Sequence, residues 1–183
     1  SPTACPECTN VTLWAVDATG PNDVWAAGDK RVQSTDGFLG THILVMHWNG
    51  SQWTVMNTPL QSGASGDMVW GIEAIAPNDV WFFGEGFYGG SPQIPDPALA
   101  MHWNGSNFLL TTVPSVNPQT SGFGDGNALR DGSALAPNDV WAVGAASDGD
   151  SMPSAYSQIQ HWDGSSWTPV PAASMPGVWH DLN

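Results

Sequence analysis

Histidine and aspartate recur at matched places in this chain, and both can do chemistry. His47, His102 and His161 each precede a tryptophan and an Asn-Gly or Asp-Gly pair, while Asp23, Asp79 and Asp139 each follow Pro-Asn and precede Val-Trp. Two carboxylates about 5 to 10 Å apart would suit hydrolysis of a glycosidic bond. A histidine beside an indole would suit a sugar pocket or a metal. Repetition argues for a structural use instead. Equivalent histidines lie a whole repeat apart and converge on one ion only if they face a common axis, and a carboxylate in a Pro-Asn-Asp turn bonds the local backbone. The histidines are therefore expected to make structural hydrogen bonds, and no residue is assigned a catalytic role. Gly-x-Ser-x-Gly, His-Glu-x-x-His and phosphate-cradling glycine loops are all missing from the sequence.

Departures from the repeat are the better places to look for a site. Arg130 stands where other repeats carry tryptophan, next to Asp131 and after the glycine-rich run 122–127. Asp125, Asn127 and Asp131 form a candidate calcium set, because a hard cation takes several oxygens on a flexible loop. Their spacing fails the EF-hand pattern, so a solvated loop with a local Arg130–Asp131 pair is the preferred reading; Asp148-Gly149-Asp150 is a weaker set of the same kind. Phe87 and Tyr88, an aromatic loop found only in the second repeat, join Arg130 and Asp131 as candidate contacts for a ligand or partner. Asn10, Asn49 and Asn104 fit the N-glycosylation acceptor pattern. Cys5 and Cys8, the only cysteines, suit a local disulfide in an oxidising compartment.

The elements that position these residues are legible as a repeat. Pro-Asn-Asp-Val-Trp begins at Pro21, Pro77 and Pro137, and each copy is followed by the histidine motif. Each unit offers four strand candidates. The first comprises Leu13–Val16, Val69–Ile72 and Leu129–Arg130, with Val178–Leu182 matching it again; the second comprises Val24–Gly28, Val80–Gly84 and Val140–Gly144. The third comprises Ile43–Trp48, Leu99–Trp103 and Ile159–Trp162, and the fourth Trp53–Met56, Phe108–Thr112 and Trp167–Val170. Proline presets the tight turn between strands one and two, and Asn-Gly or Asp-Gly suits a two-residue hairpin with positive φ between strands three and four. The variable links, Asp29–Gly40, Glu85–Pro97 and Ala145–Tyr156, join strands two and three. Tryptophans fall into four columns, headed by Trp14, Trp25, Trp48 and Trp53, as residues packing sheet on sheet should.

Units too small to enclose a core alone must stack. The expected class is all-β: a β-propeller of three four-stranded antiparallel blades plus the first strand of another, with residues 1–10 as leader and blades near 11–60, 67–116, 127–172 and 177–183. The pattern resembles the secreted bacterial propeller repeat with a Pro-Asn-Asp-Val-Trp-Ala-Val-Gly strand and a His-Trp-Asp-Gly-Ser-Ser-Trp hairpin. That resemblance implies a kelch-like or sensor-propeller-like shape. Three blades do not close a ring, so the remaining blades are expected from the same longer chain, in preference to another subunit.

Charge narrows the partners. Lys30, Arg31 and Arg130 are the only basic side chains of 183 residues, and 17 acidic ones bring the formal charge to −14. Nothing offers phosphates a basic groove, so nucleic acid is not expected, nor is membrane insertion, since no run of 18 apolar residues occurs. The expected function is a non-catalytic extracellular binding or display module, secreted or on a cell surface, recognising a polysaccharide or protein through rim loops. A structural subunit or spacer of an extracellular filament or sheath is one alternative. Part of a glycan-degrading propeller enzyme is the other. Apart from calcium, no cofactor is expected.

Overall fold

A computed structural model describes residues 8–33, 39–61, 65–87, 96–116, 125–148 and 155–172. Three four-stranded antiparallel sheets account for all of its strands, and each follows chain order. The first contains β1 (Cys8–Gly20), β2 (Asp23–Gln33), β3 (Leu39–Trp48) and β4 (Trp53–Met56). The second contains β5 (Gly66–Ala76), β6 (Asp79–Phe87), β7 (Ala98–Trp103) and β8 (Phe108–Thr111). The third contains β9 (Asp125–Ala136), β10 (Asp139–Asp148), β11 (Ala155–Trp162) and β12 (Trp167–Pro169). These are the blades of a β-propeller. Among the described residues no helix is long and apolar enough to cross a membrane. The further strand expected at Val178–Leu182 lies outside the described residues.

The strands overrun their expected ends. The β2–β3 ladder continues to Gln33 opposite Leu39, and β10–β11 to Ser147 opposite Ala155, so much of what reads as variable link is paired backbone. Backbone donors and acceptors need partners whether or not the side chains above them are apolar, and a neighbouring strand supplies them. β1 likewise takes in Cys8, Thr9 and Asn10 from the expected leader.

Turn chemistry explains the shared end of the blades. Pro21-Asn22, Pro77-Asn78 and Pro137-Asn138 fill two-residue turns between the first and second strands. At the second hairpin only the glycines have positive φ: Gly50 (91°), Gly105 (89°) and Gly164 (95°). Asn and Asp were expected to share that conformation, but they serve as acceptors instead. Asn49 Oδ1 accepts from the Ser51 amide, the Ser51 hydroxyl and the Gln52 amide. Asp163 accepts the equivalent three bonds from Ser165 and Ser166, which hold its carboxyl down at about 2. The two turns of a blade touch, since a Cβ on Gly50 would run into the Asn22 side chain.

Two cores lie between the blades. Trp25, Ala27, Ile43 and Val45 of the first blade pack against Val69, Ile72, Val80, Phe82, Leu99 and Met101 of the second. The other face of the second blade sends Trp81, Phe83, Ala98 and Ala100 against Leu129, Val140, Ala142 and Trp167 of the third. Trp81 meets Trp162 at 5.2 Å and Trp167 edge-on at 5.3 Å. Its counterpart Trp141 has no blade beyond it among the described residues and is 37% exposed.

Two glutamines of the third blade, Gln158 and Gln160, are buried on the face that meets the second core. Gln158 lies opposite Gly144, where the other blades set Leu44 opposite Gly28 and Leu99 opposite Gly84. Both Gln158 amide atoms are buried without a partner. Because a buried, unsatisfied polar group costs about 1–3 kcal/mol, Gln158→Leu is expected to raise the unfolding free energy by that order in urea titrations. Trp81→Ala should lower it by about 3–5 kcal/mol, as large core truncations do, and Trp141→Ala distinctly less.

Candidate functional site

The first strands converge. Among the described residues a cleft of about 550 Å³ is lined by β1 (Trp14 to Asp17), β5 (Trp70 to Glu73) and β9 (Arg130 to Gly132), which places these strands at the propeller axis. Each carries a register shift: between Leu13 and Ala15, between Val69 and Gly71, and where Leu129 and Asp131 face Gly144 and Val143. The extra residues are Trp14, Trp70 and Arg130. A bulge re-aims its side chain away from the sheet face, so this column does not join the blade cores as its repetition implied. Close approach at the bulge also explains the glycine ending each Val-Trp strand. A Cβ on Gly28, Gly84 or Gly144 would collide with the carbonyl oxygen of Thr12, Met68 or Ala128.

Each bulge indole is tied to its own second strand. Trp14 Nε1 donates to Asp29 Oδ1 at 2.6 Å, and Trp70 Nε1 to Glu85 Oε1 at 3.2 Å. In the third blade both partners are exchanged, with arginine for the indole and Ala145 for the acid. Arg130 therefore reaches back to the second blade. Its Nη1 is 4.0 Å from Glu85 Oε1, and its guanidinium carbon sits 4.3 Å from the Trp70 ring centroid. The result is a row of Trp14, Trp70 and Arg130, with the two indoles 5.1 Å apart. The expected Arg130–Asp131 pair gives way to these contacts, while Asp131 Oδ1 accepts from the Gly132 amide.

Carboxylates rim the same cleft. Asp17 Oδ2 accepts from the Ala74 amide of the next blade at 2.8 Å, and Glu73 Oε1 from the Ala134 amide at 2.9 Å. Burial pushes Glu73 up, with the Asp17 and Asp131 charges adding to it against the Ala134 bond. Burial also raises Glu85, opposed by Arg130 and the Trp70 hydrogen bond. Negative charge is in excess here.

The repeated histidines and aspartates find each other. His47, His102 and His161 place Nε2 at 2.6, 2.7 and 2.8 Å from Oδ1 of Asp23, Asp79 and Asp139. Each imidazole also lies over the tryptophan of its blade, with centroids 4.2, 4.5 and 4.4 Å apart. The Asp23 carboxylate takes a further bond from the Thr19 hydroxyl. Burial pushes Asp23 up, but the Thr19 and His47 bonds and the His47 charge outweigh it and hold it below its ordinary value. These units clamp the second and third strands of a blade together.

The other candidate residues scatter. Phe87 ends β6, where its carbonyl accepts from the Ser65 amide and hydroxyl; Tyr88 lies outside the described residues. Asn127 is buried on β9 and its Oδ1 accepts from Ser115 Oγ at 3.2 Å. Asp131 is four residues further along the same strand, roughly 10 Å or more away, so the two do not share an ion; Asp125 begins the strand. Among the described residues no group of three His, Cys, Asp or Glu side chains could hold a metal. Asp148 ends β10, and residues 149–150 are outside the description. Cys8 is disulfide-bonded, and Cys5 lies outside the described residues. Asn10, Asn49 and Asn104 are all exposed.

No protein-family model matches this chain, and no curated protein matches it. Among solved structures it is similar to one of YCF48 bound to D1 peptide, at 12% identity and a TM-score of 0.42, over 86% of this chain and 54% of that one. The chain thus spans about half the length of that structure.

A carboxyl held down by folding contributes stability that is present above its unfolded value and lost as pH falls through the folded one. Asp23→Asn is therefore expected to be less stable than the parent at pH 7. Urea unfolding at stepped pH should show the gap closing once pH drops below the ordinary value of 3.8. A gap that persists undiminished at lower pH would assign the loss to packing.

Proposed function

We propose that this chain is a non-catalytic binding module working outside the cytoplasm, and that it recognises a protein segment bearing basic side chains in the axial cleft. The observation that carries this reading is the Trp14 indole, 51% exposed beside Asp17, Glu73 and Asp131. Arg130 over Trp70 is an internal example of the contact: a planar cation on an indole face, with a carboxylate at its edge. Trp14 offers the same arrangement to a partner, its ring already oriented by Asp29. Glu73 is raised chiefly by burial, and a guanidinium placed there would relieve the Asp17 and Asp131 repulsion that adds to it. The formal charge of −14 would draw basic partners from a distance.

Two further features support the reading. The disulfide at Cys8 suits an oxidising compartment. Asp23, Asp79 and Asp139, the carboxylates with a hydrolytic look in sequence, are engaged in clamping histidines. Polysaccharide is the second reading, because the exposed face of Trp14 also suits the C–H face of a sugar.

Titration with a short arginine-rich peptide, followed by tryptophan fluorescence, is expected to saturate. Trp14→Ala should weaken it by about tenfold or more, the scale of an interface anchor, in a variant that circular dichroism shows to keep its fold. Salt at 1 M should suppress binding, and so should acid, as pH falls through the raised values of Glu73 and Glu85. Saturable, Trp14-dependent binding of neutral oligosaccharides without peptide binding would replace this reading with the second one.

A further inference from the structure

The two joints between blades differ at their outermost strands. Between the second and third blades, Trp167 is buried to 2% exposure, and its Nε1 donates at 2.9 Å to Thr111 Oγ1 on the blade before it. Register places Phe108 at the position of Trp167, and Met56 at that of Thr111. Both partners of the hydrogen bond are thus exchanged for apolar groups in the joint between the first and second blades, where a smaller ring fills less of the space. A cleft of about 380 Å³ lies there. Its apolar wall is Met56, Pro59, Trp103 and Phe108, all half-buried, and it stands at the edge of the sheets far from the axis.

The polar side of this cleft also breaks the repeat. Asn57, Ser106 and Asn107 line it, and all three are exposed. In the first and third blades the serine hydroxyl of the second hairpin turn closes onto the side chain two residues before it, Ser51 onto Asn49 and Ser165 onto Asp163. In the second blade only the Ser106 and Asn107 backbone amides bond Asn104 Oδ1. The Ser106 hydroxyl makes no hydrogen bond to any described residue, and neither do the side-chain amides of Asn57 and Asn107.

We infer that this cleft binds a ring of a neutral carbohydrate. None of its lining residues is charged, although the chain carries a formal charge of −14, so neither a cation nor an anion finds a counter-charge in it. A hydroxyl and two primary amides each donate and accept, and so do the hydroxyls of a sugar. The aromatic, thioether and proline wall beside them suits the C–H face of such a ring. An apolar wall with a few placed polar groups is also the common build of a small-ligand pocket, for which volumes start at about 300 Å³. An aromatic side chain of a protein partner would use the wall and leave most of the polar groups unmatched. The cleft shares no residue with the axial one, so the inference does not rest on what enters there.

Titration of the 183-residue chain with cellohexaose, maltohexaose, mannohexaose and chitohexaose, followed by tryptophan fluorescence and calorimetry, tests it. At least one should saturate. Phe108→Trp combined with Met56→Thr rebuilds the joint found one blade on and fills the cleft, so the double variant should keep or raise the melting temperature while binding weakens about tenfold or more. Ser106→Ala, at an exposed position, should weaken binding about threefold to tenfold, the scale of one neutral hydrogen bond. Trp14→Ala should leave it unchanged, which separates this site from sugar binding in the axial cleft. Saturation by none of the four, whether or not a tyrosine-rich peptide binds in their place, would overturn the proposal. Binding that survives the filled cleft, or that is lost with Trp14→Ala, would do the same.

Discussion

A four-stranded sheet with apolar residues on both faces is stable only when both are covered, and everything in this molecule follows from how that demand is met. Trp25 and Trp81 supply the bulk that fills each gap between sheets, at positions buried to within 1% exposure. An indole this large stabilises only if it holds one orientation, and the imidazole stacked on it, fixed by an aspartate at the strand's start, provides that. The interblade contact is thus a large ring, a stacked histidine and a carboxylate anchor. Its repetition makes the sheets radiate from a common axis.

At that axis the same repeat produces a different outcome. The register shift in each first strand expels one side chain from the sheet face, and the glycine opposite lets the backbone close over the gap. What is expelled is free to vary without disturbing a core. In two blades it is an indole bound to an acid; in the third it is Arg130. One exchange turns a symmetric row of indoles into a polarised one, with a cation at one end and an open ring at the other. Proposed recognition and blade packing are therefore separated by the bulge. Residues on one side of it are constrained by stacking, and those on the other by whatever enters the cleft.

The third blade departs from the pattern in its core as well. Gln158 and Gln160 stand where Leu99 and Met101 pack in the second blade, and only Gln160 finds a partner, the Pro114 carbonyl. Such polar substitution weakens a stacked interface without changing its geometry. Near the axis the outer faces of the first and third blades carry the opposite feature, with Val16 and Leu135 exposed. Both observations have one cause: a repeat protein distributes stability over nearest-neighbour contacts, so each unit's energy depends on what lies beside it.

The amino-acid sequence determined the local architecture. Three repeats of four strands, the proline and glycine turns, the columns that pack sheet on sheet and the acidity of the surface can all be read from period and composition, because they depend on backbone preference and side-chain size. Only the tertiary structure decided which column leaves the core. Trp14 and Trp25 look alike as repeated indoles, but a bulge, seen only in the pairing register, turns one out to the axis and leaves the other between blades. The same holds for Asp23 with His47 and for Arg130 with Glu85. Residues more than twenty positions apart come into contact where neighbouring strands or blades meet, and matching repeat offsets hinted at the first pairing alone. Arg130 beside Asp131 suggests an ion pair to any linear reading, yet adjacent residues of an extended chain point apart, and the charge finds its partner one blade away.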